Sequence, residues 1–133
     1  MILNRRIALA TLALGAGLFA AAAAGAFASK APFDAKAFAA AQASGKPVLI
    51  EVSAPWCPVC KAQKPILSSL GAKPEFAGMA MFEIDFDSQK DALRTLGVQK
   101  QSTLVVFKGK TETGRSTGDT NAASIEAMLR KAI

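Results

Sequence analysis

Short apolar runs alternate along the chain with segments that carry helix caps or a helical apolar face. Four segments have the length and composition of strands, the last of them at a sheet edge after a tight turn: 48–53, 79–86, 103–107 and 111–116. Four segments have the caps, glycine stops or apolar faces of helices: 35–44, 56–70, 89–96 and 121–129. Either Thr120 or Asn121 can cap the last of these helices. The order α, β, α, β, α, β, β, α predicts one α/β domain.

The first 28 residues have the three-part composition of a secretory signal peptide. A pair of arginines precedes an uncharged run from Ile7 to Ala28, which ends in a small–x–small pattern. This pattern predicts cleavage after Ala28 and a mature domain of residues 29–133. The alternative is an uncleaved membrane anchor, because an apolar run of about 22 residues can span a bilayer. Both interpretations place the domain beyond a membrane, in the periplasm or otherwise exported.

Composition narrows the functional classes. The chain of 133 residues has a net charge of +6 and no histidine, which removes the commonest general base and the commonest metal ligand. Its positive charges are scattered singly and are not interleaved with aromatic residues, so we expect no nucleic-acid binding. We also expect no cofactor and no metal, and a monomeric chain.

The chemistry is expected at Cys57 and Cys60, which are the only two cysteines of the chain. They lie where a predicted buried strand gives way to a predicted helix. A helix N-terminus presents unpaired N–H groups and partial positive charge, which favour a thiolate over a thiol. We expect Cys57 on the exposed rim of the first helical turn, where it can attack. Cys60, one turn further in, would resolve the mixed disulfide.

Three other uses of this cysteine pair remain open. A zinc half-site would need two further ligands, and without histidine only carboxylates could supply them. A structural disulfide across so short a loop would stabilise the chain little, compared with about 3 kcal/mol for a 15-residue loop. The third alternative is a redox-inert chain that retains its cysteines.

The segment KPVLIEVSAPWCPVCK, residues 46–61, resembles the active-site segment of the thioredoxin family. The resemblance extends from about Phe33 to Ile133 and includes the helix with an internal proline and the closing hairpin and helix. It implies a thioredoxin-like α/β fold, with a central mixed sheet flanked by helices, and dithiol exchange at Cys57 and Cys60. The exported members that pass electrons from membrane-embedded reductases look most similar. The implied partners are therefore cysteine-containing exported proteins and a membrane-embedded thiol reductase as electron donor.

The resemblance also gives a role to Glu51, six residues before Cys57, where the family often has a buried aspartate. A carboxyl below the disulfide can shuttle the proton of Cys60 during exchange, although a side chain at a strand end can also point to solvent. The family often places a lysine near this acid, on the following strand, where this chain has Met81. We therefore expect Glu51 to lack a cation and its pKa to be raised by desolvation.

Ser102 stands where the family has a cis-proline before the strand that faces the cysteines. A cis bond before a non-proline residue costs about 2.5–4 kcal/mol, so we expect a trans Gln101–Ser102 bond or else a strained cis one. The serine N–H and hydroxyl add polar groups beside the disulfide. Trp56 is expected either to cover the site and contact substrate or simply to pack. The predicted substrate-binding residues are Trp56, Pro58, Val59, Gln101, Ser102 and Thr103.

The predicted function is a thiol–disulfide oxidoreductase that reduces disulfides of exported proteins or relays electrons to them. Val59 offers no charge to stabilise a thiolate, whereas a histidine between the cysteines would favour an oxidant. One alternative is an oxidase or isomerase of folding exported proteins, which would use the same two sulfurs. Another is a binding module that holds thiol partners or a soft metal such as Cu(I). The polar loop of residues 99–101 indicates a dedicated partner and hence a narrow substrate range.

Overall fold

One mixed sheet of five strands organises the chain in a computed structural model, which describes Phe27 and residues 29–133. Along the chain the elements are β1 (Ser29–Pro32), α1 (Ala35–Ala43), β2 (Pro47–Ser53), α2 (Pro58–Gly71), a 3-10 helix (Pro74–Phe76), β3 (Ala80–Asp85), α3 (Lys90–Leu96), β4 (Thr103–Lys108), β5 (Thr111–Thr117) and α4 (Ala122–Arg130). The strands lie in the order β1-β3-β2-β4-β5. Strands β1 and β2 are parallel to β3, whereas β4 is antiparallel to β2 and to β5. The predicted mixed sheet flanked by helices is confirmed.

Strand β2 lies in the middle of the sheet and carries the chain towards the cysteines. All of its residues after Pro47 are buried, as expected for a strand covered on both faces. Alternate side chains enter two separate cores. Leu49 packs with residues of α2 and α4, whereas Ile50 packs with residues of α1 and α3. Glu51, two residues after Leu49, therefore faces α2.

The helix ends agree with the predicted caps. The Asp34 carboxylate accepts the N–H of Ala37 at 2.8 Å at the start of α1. At the start of α4 the side chain of Asn121 accepts the N–H of Ser124 at 2.9 Å, so Asn121 rather than Thr120 is the cap. Helix α3 ends at Gly97, whose φ of +63° is a left-handed conformation that glycine adopts without strain.

Strand β1 and the 3-10 helix were absent from the sequence prediction. Strand β1 has only four residues and pairs with β3 alone, at the edge of the sheet. Four residues ending in a proline are too few to carry an alternating pattern. Strand β1 therefore forms because it pairs with β3, and its own sequence carries no pattern that predicts a strand.

The predicted leader, with its expected cleavage site, lies outside the described residues except for Phe27. This ring is only 9% exposed and packs in the core with Leu67 and Leu70. A Cβ atom added at Gly71 would come within 2.8 Å of the ring, so the glycine makes room for it. Cleavage after Ala28 would remove this ring from the core. Among the helices that the structure describes, none has the length and apolar character needed to cross a membrane.

Candidate active site

A disulfide joins Cys57 to Cys60 at the N-terminus of α2. Strand β2 ends at Ser53, and a short turn brings Cys57 to the N-cap position of the helix. Pro58 is the first helical residue, where the missing N–H of proline has no cost. The N–H of Cys60 donates to Cys57 Sγ at 3.1 Å, so the cap of this helix is a sulfur atom.

Cys57 is more enclosed than expected, whereas the less accessible position expected for Cys60 is confirmed. Cys57 is 1% exposed and Cys60 is fully buried, so the expectation that Cys57 lies on an exposed rim is wrong for this disulfide form. The reason is the loop before β4, which places the Ser102 hydroxyl oxygen 3.0 Å from Cys57 Sγ and 3.1 Å from Cys60 Sγ. The exposed fraction of the side chain therefore does not distinguish the two cysteines. Their positions in α2 distinguish them, because Cys57 is the N-cap and Cys60 lies within the first turn.

Ser102 is held in an unusual conformation. The described chain has no cis peptide bond, so the expected trans Gln101–Ser102 bond is confirmed. Ser102 has a φ of +60° and is the only non-glycine residue with a positive φ among those described. Its N–H donates to the Val52 carbonyl at 2.8 Å, a bond that a proline could not make. Its carbonyl accepts the N–H of Gly118 at 3.0 Å.

Gln63 is a contributor to the site that the sequence analysis missed. Its side chain is fully buried, and Nε2 donates to the Ser102 carbonyl at 3.2 Å and to the Asp119 carbonyl at 2.8 Å. The signal was present in the sequence. Positions 60, 63, 67 and 70 form the buried face of α2, and Gln63 is the polar residue among them.

Glu51 is buried, as the family resemblance implied, and the alternative of a solvent-facing side chain is wrong. The expectation that Glu51 lacks a cation is also wrong. Lys64 Nζ lies 3.5 Å from Glu51 Oε1 and 3.1 Å from Glu83 Oε2. Lys64 belongs to α2, which packs over this face of β2, so the cation comes from the helix and not from the position of Met81.

Burial nevertheless raises the pKa of Glu51 above its ordinary value, and the neighbouring Glu83 raises it further. The positive charge of Lys64 opposes both effects without reversing them. The second carboxyl oxygen, Oε2, is buried and has no hydrogen-bond partner among the residues that the structure describes. Glu51 also borders a cavity of about 120 Å³ that is lined by Phe27, Lys30 and Met81 among others. These features suit a carboxyl group that takes up and releases a proton.

The other predicted site residues divide into an exposed and an inward-facing set. Trp56 is 56% exposed and its indole N–H donates to Asp87 Oδ2 at 2.9 Å, while Val59 is 37% exposed. Pro58 is exposed beside them, and Gln101 is half-buried. Thr103 is buried, and its hydroxyl donates to the Lys100 carbonyl at 2.7 Å, so its side chain does not join the exposed set.

Comparisons with known proteins agree with this geometry. The family model described as Thioredoxin matches residues 29–131. Thioredoxin Asp f 29 of Aspergillus fumigatus is 33% identical over 98 residues, which are 73% of this chain and 88% of that protein. The protein disulfide-isomerase erp38 of Neurospora crassa is 38% identical over 71 residues, 52% of this chain but only 19% of that protein. The solved structure of Trxlp from Edwardsiella tarda is 42% identical with a TM-score of 0.74, covering 75% of this chain and 97% of that one. The chain therefore belongs to the thioredoxin family and is a thiol–disulfide oxidoreductase whose cysteine pair is Cys57 and Cys60.

Proposed function

We propose that Cys57 and Cys60 reduce disulfides of exported proteins, or relay electrons to them. The N-cap position of Cys57, whose sulfur accepts the Cys60 N–H at 3.1 Å, is the observation that carries the exchange chemistry, while the direction rests on the uncharged Pro58 and Val59. In the reduced chain the same N–H group and the helix N-terminus stabilise negative charge on this sulfur. Cys57 is therefore the attacking thiolate, and Cys60 is the resolving residue.

The reaction proceeds in two exchanges. The Cys57 thiolate attacks one sulfur of the substrate disulfide, which forms a mixed disulfide and releases the other substrate sulfur as a thiolate. Cys60 then loses its proton and attacks Cys57 Sγ, which releases the second substrate sulfur and closes the Cys57–Cys60 disulfide. Two electrons pass from the protein to the substrate, and the two released thiolates take up protons.

Glu51 accepts the proton of Cys60 in the second exchange. The pKa of Glu51 is raised above that of an exposed carboxyl and so lies closer to neutral pH. A general base is most efficient when its pKa lies near the pH at which it works. The hydrogen bond that the structure describes for Glu51 goes to Lys64, so transfer of the proton from Cys60 requires a bridging water molecule. The positive charge of Lys64 favours the charged carboxylate and partly offsets the effect of burial on the pKa of Glu51.

The reductase direction is supported by the residues between the cysteines, since Pro58 and Val59 bring no positive charge to the thiolate. The composition of the leader supports export, in the periplasm or held at a membrane by an uncleaved anchor. The electron donor we propose is a membrane-embedded thiol reductase, and the electron acceptors are cysteine-containing exported proteins.

One observation favours the opposite direction as a second candidate. The Ser102 hydroxyl lies within 3.1 Å of both sulfurs and can donate to a thiolate, which stabilises the reduced form. A stabilised reduced form is the property that makes a dithiol protein an oxidant. The second candidate is therefore an oxidase or isomerase of exported proteins, and the reduction potential separates it from the reductase.

We also propose a narrow substrate range. The loop of residues 99–101 next to the disulfide is polar, and Ser102 fills the place of the family's proline. Such a loop suits one or a few dedicated partners better than unfolded chains. Wild-type protein should therefore reduce insulin, a generic disulfide substrate, many times more slowly than a thioredoxin does under the same conditions. An equal rate would contradict the narrow range.

The assignment of the two cysteines is tested by trapping. A Cys60→Ser variant leaves the mixed disulfide on Cys57 unresolved, so it should accumulate covalent complexes with a disulfide-containing protein. The matched Cys57→Ser variant keeps one cysteine in the same helical turn and should accumulate none. Non-reducing electrophoresis distinguishes the two variants, and complexes with Cys57→Ser alone would reverse the assignment.

A further inference from the structure

We propose that the Ser102 hydroxyl is a catalytic hydrogen-bond donor to the cysteine thiolate, and that Gln63 is the residue that positions it. The inference deepens the proposed function and rests on it only in requiring that Cys57 and Cys60 exchange electrons. It concerns the same two sulfurs, whichever direction the exchange takes and whichever protein is the substrate.

The Ser102 hydroxyl group lies beside both cysteine sulfurs. Ser102 Oγ lies 3.0 Å from Cys57 Sγ and 3.1 Å from Cys60 Sγ, so one oxygen bridges both reacting atoms. The sulfurs of a disulfide are weak acceptors, whereas a thiolate is a charged acceptor and forms a much stronger bond. The hydroxyl therefore stabilises the reduced pair more than the disulfide.

A hydroxyl group has one O–H, so it donates to one sulfur at a time and can follow the negative charge. In the first exchange it donates to Cys57, which carries the charge in the resting reduced chain. In the second exchange it donates to Cys60, as this sulfur becomes a thiolate and attacks. The bond moves between two acceptors that are nearly equidistant from the oxygen, so the loop need not move.

Hydrogen bonds hold the backbone of Ser102 in the conformation that places its hydroxyl beside the sulfurs. A φ of +60° is rare for a residue with a side chain, and such strain persists only where surrounding contacts impose it. Three hydrogen bonds impose it here. The N–H donates to the Val52 carbonyl at 2.8 Å, and the Ser102 carbonyl accepts from Gly118 N–H at 3.0 Å and from Gln63 Nε2 at 3.2 Å.

Gln63 is the side chain among these three contacts. Its amide nitrogen is buried inside the apolar face of α2, where an unbonded N–H is costly, whereas Oε1 has no partner among the described residues. The two N–H bonds of its amide nitrogen go to the carbonyls of Ser102 and Asp119. Gln63 donates to no sulfur, so its influence on the cysteines passes through the loop that carries Ser102.

The test compares variants of the full chain without a protein substrate. Ser102→Gly removes the hydroxyl group, keeps the N–H bond to Val52 and adopts the positive φ without strain. The matched control is Ser116→Ala, which removes a buried hydroxyl that has no hydrogen-bond partner in the described part of the chain. The measurements are the redox equilibrium of the cysteine pair with glutathione and the thiolate absorbance at neutral pH.

Ser102→Gly should shift the redox equilibrium about tenfold towards the disulfide, which is about 30 mV for a two-electron couple. The thiolate absorbance should fall in the same variant. Ser116→Ala should stay within about twofold of wild type. A second hydroxyl-free variant, Ser102→Ala, should shift the equilibrium in the same direction even though its backbone is strained. If Ser102→Gly stays within twofold of wild type, or the control shifts equally, the role of the hydroxyl is refuted.

The positioning role is tested by coupling. Gln63→Leu keeps the volume of the side chain and removes the amide, so it should shift the equilibrium several-fold in the direction of Ser102→Gly. In the double variant Gln63→Leu should add nothing, because the hydroxyl that it positions is gone. A full effect of Gln63→Leu in the Ser102→Gly background would refute the positioning role. A chain that passes these tests but reduces no exported protein would refute the proposed function alone.

Discussion

Phe27 provides a quantitative test of where the folded domain begins. The ring precedes the predicted cleavage site by one residue, yet nine tenths of its surface is buried. A phenylalanine buries about 150–250 Å², which is worth about 3–6 kcal/mol at about 25 cal/mol per Å². Ordering two terminal residues opposes this by about 1–2 kcal/mol each. We therefore expect a chain that begins at Ser29 to be about 2 kcal/mol less stable than one that begins at Phe27.

Urea unfolding of the two chains, followed by Trp56 fluorescence, measures this difference. A Phe27→Ala variant of the longer chain should lose about as much stability as the shorter chain does, because both lack the ring. A Phe27→Leu variant should lose less, since it keeps most of the apolar contact. Equal free energies of unfolding for the two chains, within about 0.5 kcal/mol, would show that the ring contributes nothing to the core.

The same variant has a consequence for the active site. Phe27 and Glu51 line one cavity of about 120 Å³, and burial is the largest cause of the raised pKa of Glu51. Removal of the ring admits water to this cavity. The pKa of Glu51 should then move back towards its ordinary value, because Phe27 and Glu51 share this cavity.

Three further variants test the surroundings of Glu51 and Phe27. Because the folded chain raises the pKa of Glu51, the free energy of unfolding should fall as pH rises from about 4.5 through the folded pKa. Glu51→Gln should remove this fall in urea titrations across pH, and an unchanged profile would contradict it. Lys64→Met removes the main attraction that opposes desolvation, so the pKa of Glu51 should rise further and the fall should extend to higher pH. Gly71→Ala should destabilise the chain that begins at Phe27 by up to about 2 kcal/mol, the whole contribution of the ring, and should not destabilise the chain that begins at Ser29, because the clash is with the Phe27 ring.

The parts of the fold that the sequence predicted are those with local signals. The apolar run of β2 and the caps at Asp34 and Asn121 follow from short-range chemistry, and the structure has all of them. The cysteine pair at a strand-to-helix junction is equally local. Strand β1 has no local signal, because its hydrogen bonds are made to β3, which lies about 50 residues further along the chain.

The details of the site depend on contacts between distant elements. Lys64 reaches Glu51 only because α2 packs across β2. At position 81, where the family resemblance places the cation, this chain has methionine, and so the sequence predicted none. The burial of Cys57 follows from a loop 45 residues further along the chain. Gln63 is the one detail of the site that the sequence could have indicated. A polar residue on the buried face of a helix is visible in the sequence, and a buried polar group needs a hydrogen-bond partner.

The reduction potential of the Cys57–Cys60 pair tests the central claim most directly. Equilibration of the full chain with a series of glutathione ratios, with trapping of the free thiols, gives this potential. We predict a value nearer to that of thioredoxin, about −270 mV, than to that of a strong disulfide oxidant, about −120 mV. A value near about −120 mV would contradict the reductase direction and make this chain a disulfide oxidant.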